Sequence, residues 1–217
     1  KGEAQKQTEI GLIPESWEVV ELGSCLLKTN TRNPESQPEK EFNYLDVSGV
    51  SNEFFSVKEY STLKGKEAPS RARKEIHLND IVFATVRPTL KRIAIIPAEL
   101  NNEICSTGYC VLKCNKEKLD FGYLFFYLQT KDLIDRMGKL QRGASYPAVR
   151  DSDVKNTRFP KPTLEEQKQI SETLFAFDKK NHHHHTKKQT LTALFRSMLH
   201  QLMTGQIRVK DLVIKRA

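Results

Sequence analysis

Most of the marks left by enzymes that work on nucleotides or nucleic acids are missing from this sequence. There is no Walker A loop: the nearest Gly-Lys pair, Gly65-Lys66, has neither the upstream glycine nor a following Ser or Thr. No glycine-rich turn joins a strand to a helix, which excludes the usual dinucleotide and adenosyl cofactor cradles. Asn33-Pro34-Glu35 lacks the second proline and the aromatic with which amino-methyltransferases hold a flipped base. No acidic cluster with a matching lysine offers a two-metal nuclease site. Ser145, in the run GASYP, stands outside a Gly-x-Ser-x-Gly elbow.

Other scarcities bound the compartment. No stretch approaches the roughly 20 apolar residues of a membrane span, and no secretory leader is visible, although the chain starts at Lys1 rather than Met, as a trimmed chain would. The four cysteines contain no CxxC pair, so they suggest neither a zinc site nor a disulfide framework. Cys105, Cys110 and Cys114 fall in a strand-like run, Cys110 and Cys114 on one parity, and the expected state is small buried thiols in a reducing cytoplasm. What is plentiful is charge: 29% of the 217 residues, with 35 Lys and Arg against 27 Asp and Glu for a net +8. That excess favours a polyanion partner, although many proteins that bind none share it.

From Thr163 to Gly205 the sequence contains no proline, and no glycine before Gly205. Pro160 and Pro162 forbid an earlier helical start. Thr163 and Glu166 are spaced as a reciprocal capping box, and Gly205 is placed to close the helix in a left-handed conformation. A helix of this length is a rod of about 60 Å. A 4-3 spacing runs through Ile170, Leu174, Phe177, Asn181, His184, Lys188, Leu191, Phe195, Met198 and Leu202, a coiled-coil seam with apolar ends and a polar middle. Phe175, Leu194 and Leu199 widen it. The seam fits a partner helix in either direction, and docking on the chain's own domain is the alternative. The run His182–His185 is expected to be a polar patch, since only His182 and His185 share a face.

Ahead of the rod the chain reads as one α/β (mixed α+β) domain over residues 1–160, with a tail at 206–217. Lys1–Glu9 is expected to fray, Trp17–Leu22 to form a first strand and Leu22–Leu27 a short helix. Residues 28–41 read as a loop, with strands near Tyr44–Val47 and Phe54–Val57. Residues 64–74 read as a basic loop carrying Lys64, Lys66, Arg71, Arg73 and Lys74, fit for phosphate contact or simply solvated. Ile81–Val86 and Lys91–Ile96 read as a hairpin broken at Arg87-Pro88, which gathers Arg87, Lys91 and Arg92 at its tip. Tyr109–Leu112 is a further strand, Leu119–Thr130 an apolar helix, and Lys131–Leu140 its extension or successor. The following loop holds Arg142, Tyr146, Arg150 and Lys155, with Asp151 or Ser152 as cap of one helical turn.

Several segments together resemble one family. IGLIPESWEVVELG, LNDIVFATVRPTLKR, STGYCVL and above all FPKPTLEEQKQISETL leading to LFRSMLHQLMTGQIRV look like the specificity subunit of type I restriction-modification systems. The resemblance implies a target-recognition domain that reads one half of a split double-stranded DNA target, and a long helix that pairs antiparallel as a spacer. It implies docking of the modification (methyltransferase) subunit, which binds S-adenosylmethionine, and of the restriction subunit, which uses ATP and Mg²⁺. It also implies that this chain is no enzyme and holds no cofactor of its own; no metal site is expected, metal binding by His182–His185 between paired rods being the alternative to a polar patch. The full-length pattern has two domains and two helices; here there is one of each, as in a half-subunit acting as a homodimer, or in a fragment of a longer subunit.

DNA contacts do not carry over from this family residue by residue, so they are assigned by charge and loop position. Base reading is expected of Arg87, Arg142 or Arg150, with Lys91, Arg92 and Tyr146 beside them, and phosphate contact of Lys64, Lys66, Arg71 and Arg73. Two rival readings stand: a compact nuclease or methyltransferase with an unrecognised motif, and a coiled-coil scaffold with no DNA role.

Overall fold

The computed structural model describes residues 4–209. Lys1–Glu3 of the expected frayed start and residues 210–217 of the expected tail lie outside the described residues. The chain divides into a unit ending at Thr173 and a second beginning at Leu174. The compact domain therefore runs past residue 160 and includes the first turns of the long helix.

In chain order the elements are β1 (Gln5–Thr8), β2 (Gly11–Pro14), β3 (Glu18–Glu21), β4 (Leu26–Leu27), β5 (Glu41–Leu45), β6 (Ser61–Lys64), β7 (Ala72–Ile76), β8 (Ile81–Ala84), β9 (Ile93–Ile95), β10 (Glu103–Ser106), β11 (Tyr109–Cys114), α1 (Phe121–Tyr127), α2 (Lys131–Leu140), α3 (Asp151–Lys155), β12 (Arg158–Lys161) and α4 (Leu164–Met203). The mixed α/β class and the long C-terminal helix are as expected.

Local chemistry explains several departures from the sequence reading. Gln5–Thr8 is not frayed: it pairs with β2, and Thr8 locks the turn by donating to Gly11 O at 2.7 Å. Leu22–Cys25 is a 3-10 turn rather than the start of a helix. Phe54–Val57 is a bend rather than a strand, with a single bridge from Val57 to Val50; β6 follows instead. The basic stretch is only partly loop, because Arg73 and Lys74 lie on β7. At α3 the cap position is Arg150, whose backbone N–H donates to Asp153 Oδ2 at 2.8 Å.

Two four-stranded sheets make the body, ordered β6-β5-β10-β7 and β4-β11-β8-β9. In the first, β10 runs parallel to β5 and antiparallel to β7; the second is antiparallel throughout. Leu45, Ile76 and Cys105 from the first sheet and Val82, Ala84, Tyr109 and Val111 from the second share one buried cluster, so the main core lies between the sheets. Strand alternation sends Ile81, Phe83 and Cys110 to the opposite face, and these are buried as well. Cys110 and Cys114 thus share a side, but it is the side facing away from the inter-sheet core; Cys110 lies beside α3, with its Sγ 4.0 Å from Asp151 O. Burial pushes the thiols of Cys110 and Cys114 up to about 12 and that of Cys105 further, far from a reactive thiolate at neutral pH.

The first turn of α4 is sewn into the domain. Glu166 N–H donates to Thr163 Oγ1 at 3.3 Å, half of the expected capping box. The Glu166 carboxylate does not reach back; it accepts from Trp17 Nε1 at 3.1 Å through both oxygens. Trp17 meets Tyr123 edge-on, and Phe159 of β12 packs against Tyr123 and Tyr127. Gln167 is fully buried. Its amide donates to Pro162 O and Lys118 O and accepts from Asp120 N–H, at 3.0, 3.3 and 2.9 Å. Replacing it with alanine strands three backbone groups, Pro162 O in a buried contact and Lys118 O and Asp120 N–H in partly buried ones. Gln167→Ala is therefore expected to lose at least about 2 kcal/mol in urea unfolding, whereas a neighbouring exposed change, Lys168→Ala, stays within about 0.5 kcal/mol.

In the second unit the helix continues to Met203, and Gly205, with φ of +72°, ends it as expected. Leu174, Phe177, Leu191, Leu194, Phe195, Leu199 and Met203 are exposed on the single chain.

Candidate nucleic-acid interface

The rim of the domain is built from four backbone segments hydrogen-bonded in series. Thr107 N–H donates to Arg71 O, Thr85 N–H to Gly108 O and Val149 N–H to Thr85 O, at 2.8, 2.8 and 3.0 Å. Arg87 N–H then donates to Pro147 O at 2.7 Å. Ala148 bridges both Val86 and Arg142. The β8–β9 tip and the loop at 142–148 are therefore one structure, and Arg71, Arg87, Arg142 and Tyr146 share it.

The tip has unusual backbone. Arg87 (φ 49°, ψ 58°) and Lys91 (φ 55°, ψ 41°) both adopt the left-handed conformation on either side of the Pro88–Leu90 turn. For residues with a side chain, each such position costs about 1–2 kcal/mol. Local hydrogen bonds offset the cost, from Leu90 N–H to Arg87 O and from Lys91 N–H to Pro88 O at 2.9 and 3.0 Å. Strain of this kind at two cations is common where a loop presents side chains for a purpose.

The structure sorts the expected cations by partner. The Arg87 guanidinium lies 5.6 Å from the Tyr146 ring centroid, and Tyr146 is 75% exposed. Arg92 turns inward: its Nη1 donates to the carbonyls of Val50, Ser48 and Val47 at 2.7, 3.1 and 3.4 Å. Arg142 pairs with Asp153 at 3.3 Å. Arg150 and Arg71 are exposed and, among the described residues, have no ion pair.

Lys64 and Lys66 stand on a separate patch, where Glu39 lies 3.6 and 3.0 Å from them. Gly65 between them lies so close to the 34–37 turn that an added Cβ would sit 2.3 Å from Gln37 O. Arg73 faces Glu35 at 3.6 Å. Lys74 bonds to Asp151 and to Tyr109 O at 2.5 and 2.6 Å. Exposed pairs of this sort are worth little, but Lys74 is part-buried and acts as a structural pin between β7 and α3.

The carbonyls that hold Arg92 belong to a polar corner. Tyr109 Oη donates to Asp46 O and Val47 O at 3.0 and 3.2 Å, and burial pushes its phenol far up. Burial also pushes the Asp46 carboxyl upward, but hydrogen bonds from the Ser48 N–H, the Tyr44 hydroxyl and the Ser48 hydroxyl outweigh it and hold the group below its ordinary value. Sequence reasoning missed this corner and the pairing of the cations with Glu35, Glu39, Asp151 and Asp153, which lie between 11 and 77 residues away along the chain. Among the described residues no group of three or more His, Cys, Asp or Glu is arranged to hold a metal. No described helix is long and apolar enough to cross a membrane.

A two-sheet mixed α/β domain, with Arg71, Arg87 and Arg150 exposed on its rim, is followed by a long helix. Residues 14–193 match the model of the type I restriction modification DNA specificity domain. The type I restriction enzyme MjaVIII specificity subunit of Methanocaldococcus jannaschii is 29% identical over 227 residues, covering 95% of this chain and 50% of that protein. The crystal structure of the HsdS subunit from Thermoanaerobacter tengcongensis aligns with a TM-score of 0.72 at 37% identity, over 84% of this chain and 48% of that one. A chain from a structure addressing complex assembly and conformational transition of the type I R-M system aligns at 0.77 and 32% identity, over 93% and 52%. The chain belongs to the specificity subunits of type I restriction-modification systems. It spans about half the length of the curated relatives it matches.

The geometry separates Arg92 from the other cations at the β8–β9 tip. Arg92→Ala is expected to cost about 1.5–3 kcal/mol of folding stability, because three carbonyls lose a charged donor. Any DNA base preference of the folded protein should be unchanged. Chemical denaturation and duplex binding, measured on the same preparation, check both halves.

Proposed function

We propose that this chain reads one half of a split double-stranded DNA target in the cytoplasm. It docks the modification and restriction subunits, and pairs with a second copy of itself through α4 in antiparallel fashion. Its role is recognition alone, and S-adenosylmethionine, ATP and Mg²⁺ belong to the partner subunits. The observation that carries the DNA reading is the rim, where Arg71, Arg87, Tyr146 and Arg150 are exposed on hydrogen-bonded backbone, in a chain of net +8. Cations held in place by their backbone contact phosphates and base edges at a small entropic cost.

Pairing rests on the seam. Phe177 and Phe195 are each 65% exposed, and Leu174 and Leu191 are exposed with them. Placed antiparallel about a two-fold axis at Thr186, the seam sets Phe177 against Phe195 and Leu174 against Met198. Asn181 then meets Leu191, and His184 meets Lys188. Apolar ends cover apolar ends, and the polar residues gather at the axis, where they fix register at some cost in stability. A dyad in the protein calls for a matching dyad in the DNA.

The double variant Phe177→Cys/Phe195→Cys is expected to form a disulfide-linked dimer on mild oxidation, and Phe177→Asp to give the monomer mass in sedimentation. Cross-linking by Phe177→Cys alone would mean parallel pairing, and a monomer for the unmodified chain would sink the homodimer. DNA reading is checked separately: duplex affinity should fall linearly on a log–log plot against salt, and a chain that shows no salt-dependent binding even with the modification subunit is a scaffold instead.

A further inference from the structure

We propose that Arg87 reads a guanine within the half-target and that Tyr146 is its positioning residue; this rests on the DNA-reading role proposed above. Arg87 is held from both sides. Its N–H donates to Pro147 O and its carbonyl accepts from Leu90 N–H, at 2.7 and 2.9 Å, so the left-handed backbone is fixed before any ligand arrives. The side chain is held as well. The guanidinium lies against the Tyr146 ring at 5.6 Å, and Nη2 donates weakly to Ser145 O at 3.4 Å.

Among the described residues Nε and Nη1 have no partner. A planar group held on one side by an aromatic ring, with N–H donors open on its edge, suits the O6 and N7 acceptors of guanine in the major groove. No carboxylate among the described residues neutralises it. The other assigned arginines of the rim and tip are differently disposed: Arg142 faces Asp153, Arg92 turns its Nη1 inward to three carbonyls, and the Arg71 and Arg150 side chains have no ring or carbonyl to hold them among the described residues. The loop carrying Tyr146 depends on Gly143, whose φ of +95° is poorly open to other residues, and an added Cβ there would sit 3.1 Å from Tyr146 O. The backbone that carries the Tyr146 ring is therefore itself set by Gly143.

The test is selection from a randomised duplex pool by the full chain, alone and assembled with the modification subunit. The unmodified chain is compared with Arg87→Lys, Arg87→Ala, Tyr146→Phe and Tyr146→Ala. The unmodified chain should select guanine at one position. Arg87→Lys keeps the charge but not the two-donor fork, and should lose about tenfold or more of the preference at that position alone, leaving the other positions unchanged. Tyr146→Phe keeps the ring and should retain the preference; Tyr146→Ala should relax it at the same position. If Arg87→Lys and Arg87→Ala select the unaltered motif, the assignment is overturned while DNA reading stands. If Arg87→Ala weakens every sequence alike and Arg87→Lys restores binding with full preference, Arg87 contacts phosphate and the assignment is again overturned. If the unmodified chain selects no base anywhere, the DNA-reading role itself falls.

Discussion

The constraint on which the domain depends is that β8 is covered on both faces. Ile81, Val82, Phe83 and Ala84 are all buried, two facing the inter-sheet core and two facing away. A one-residue slip would exchange these sets and misfit both. Register is thereby fixed along β9 and β11, and with it the point where the β8–β9 tip leaves the sheet. The strained residues at that tip are tolerable because the strands behind them cannot shift to relieve them.

Charge is spent unevenly across this surface. An excess of cations suggests a uniformly positive face, yet most of the assigned residues meet an acid or a carbonyl. Lys74 and Arg92 are structural. Lys64, Lys66 and Arg73 are in loose pairs that solvent screens. Among the assigned cations, Arg71, Arg87 and Arg150 are exposed with no ion pair among the described residues, and they sit on the hydrogen-bonded rim. Under the proposed DNA reading, this division would spread phosphate attraction widely and concentrate base contact at a few rigid points.

The helix shows the same division between what is fixed within the chain and what is left open. Its first turns are part of the domain, through the Gln167 amide and the Trp17–Glu166 contact. Beyond Leu174 large apolar side chains stand in solvent. Exposed Phe and Leu at heptad spacing carry an unfavourable hydration cost that a partner helix would remove.

Much of this was legible in the sequence. The helix and its Gly205 stop follow from the absence of Pro and Gly, from capping chemistry and from 3.6-residue periodicity, all local properties. The hairpin at Arg87-Pro88 follows from an apolar run interrupted by a residue that cannot donate to a ladder. The short β6 and the hairpin at Gln5–Thr8 were not legible, because polar edge strands carry little pattern. Nor was the fate of each cation. Lys66 with Glu39, Lys74 with Asp151 and Glu166 with Trp17 are meetings of residues far apart in the chain. By itself the sequence determined the long helix and its Gly205 stop, the β8–β9 hairpin and the spacing of the seam, since these depend on neighbours a few residues away. Only the tertiary structure decided which charges are pinned and which remain to be used, and that Arg87 rather than Arg92 points outward against Tyr146, since burial and pairing are set by which segments the two sheets bring together.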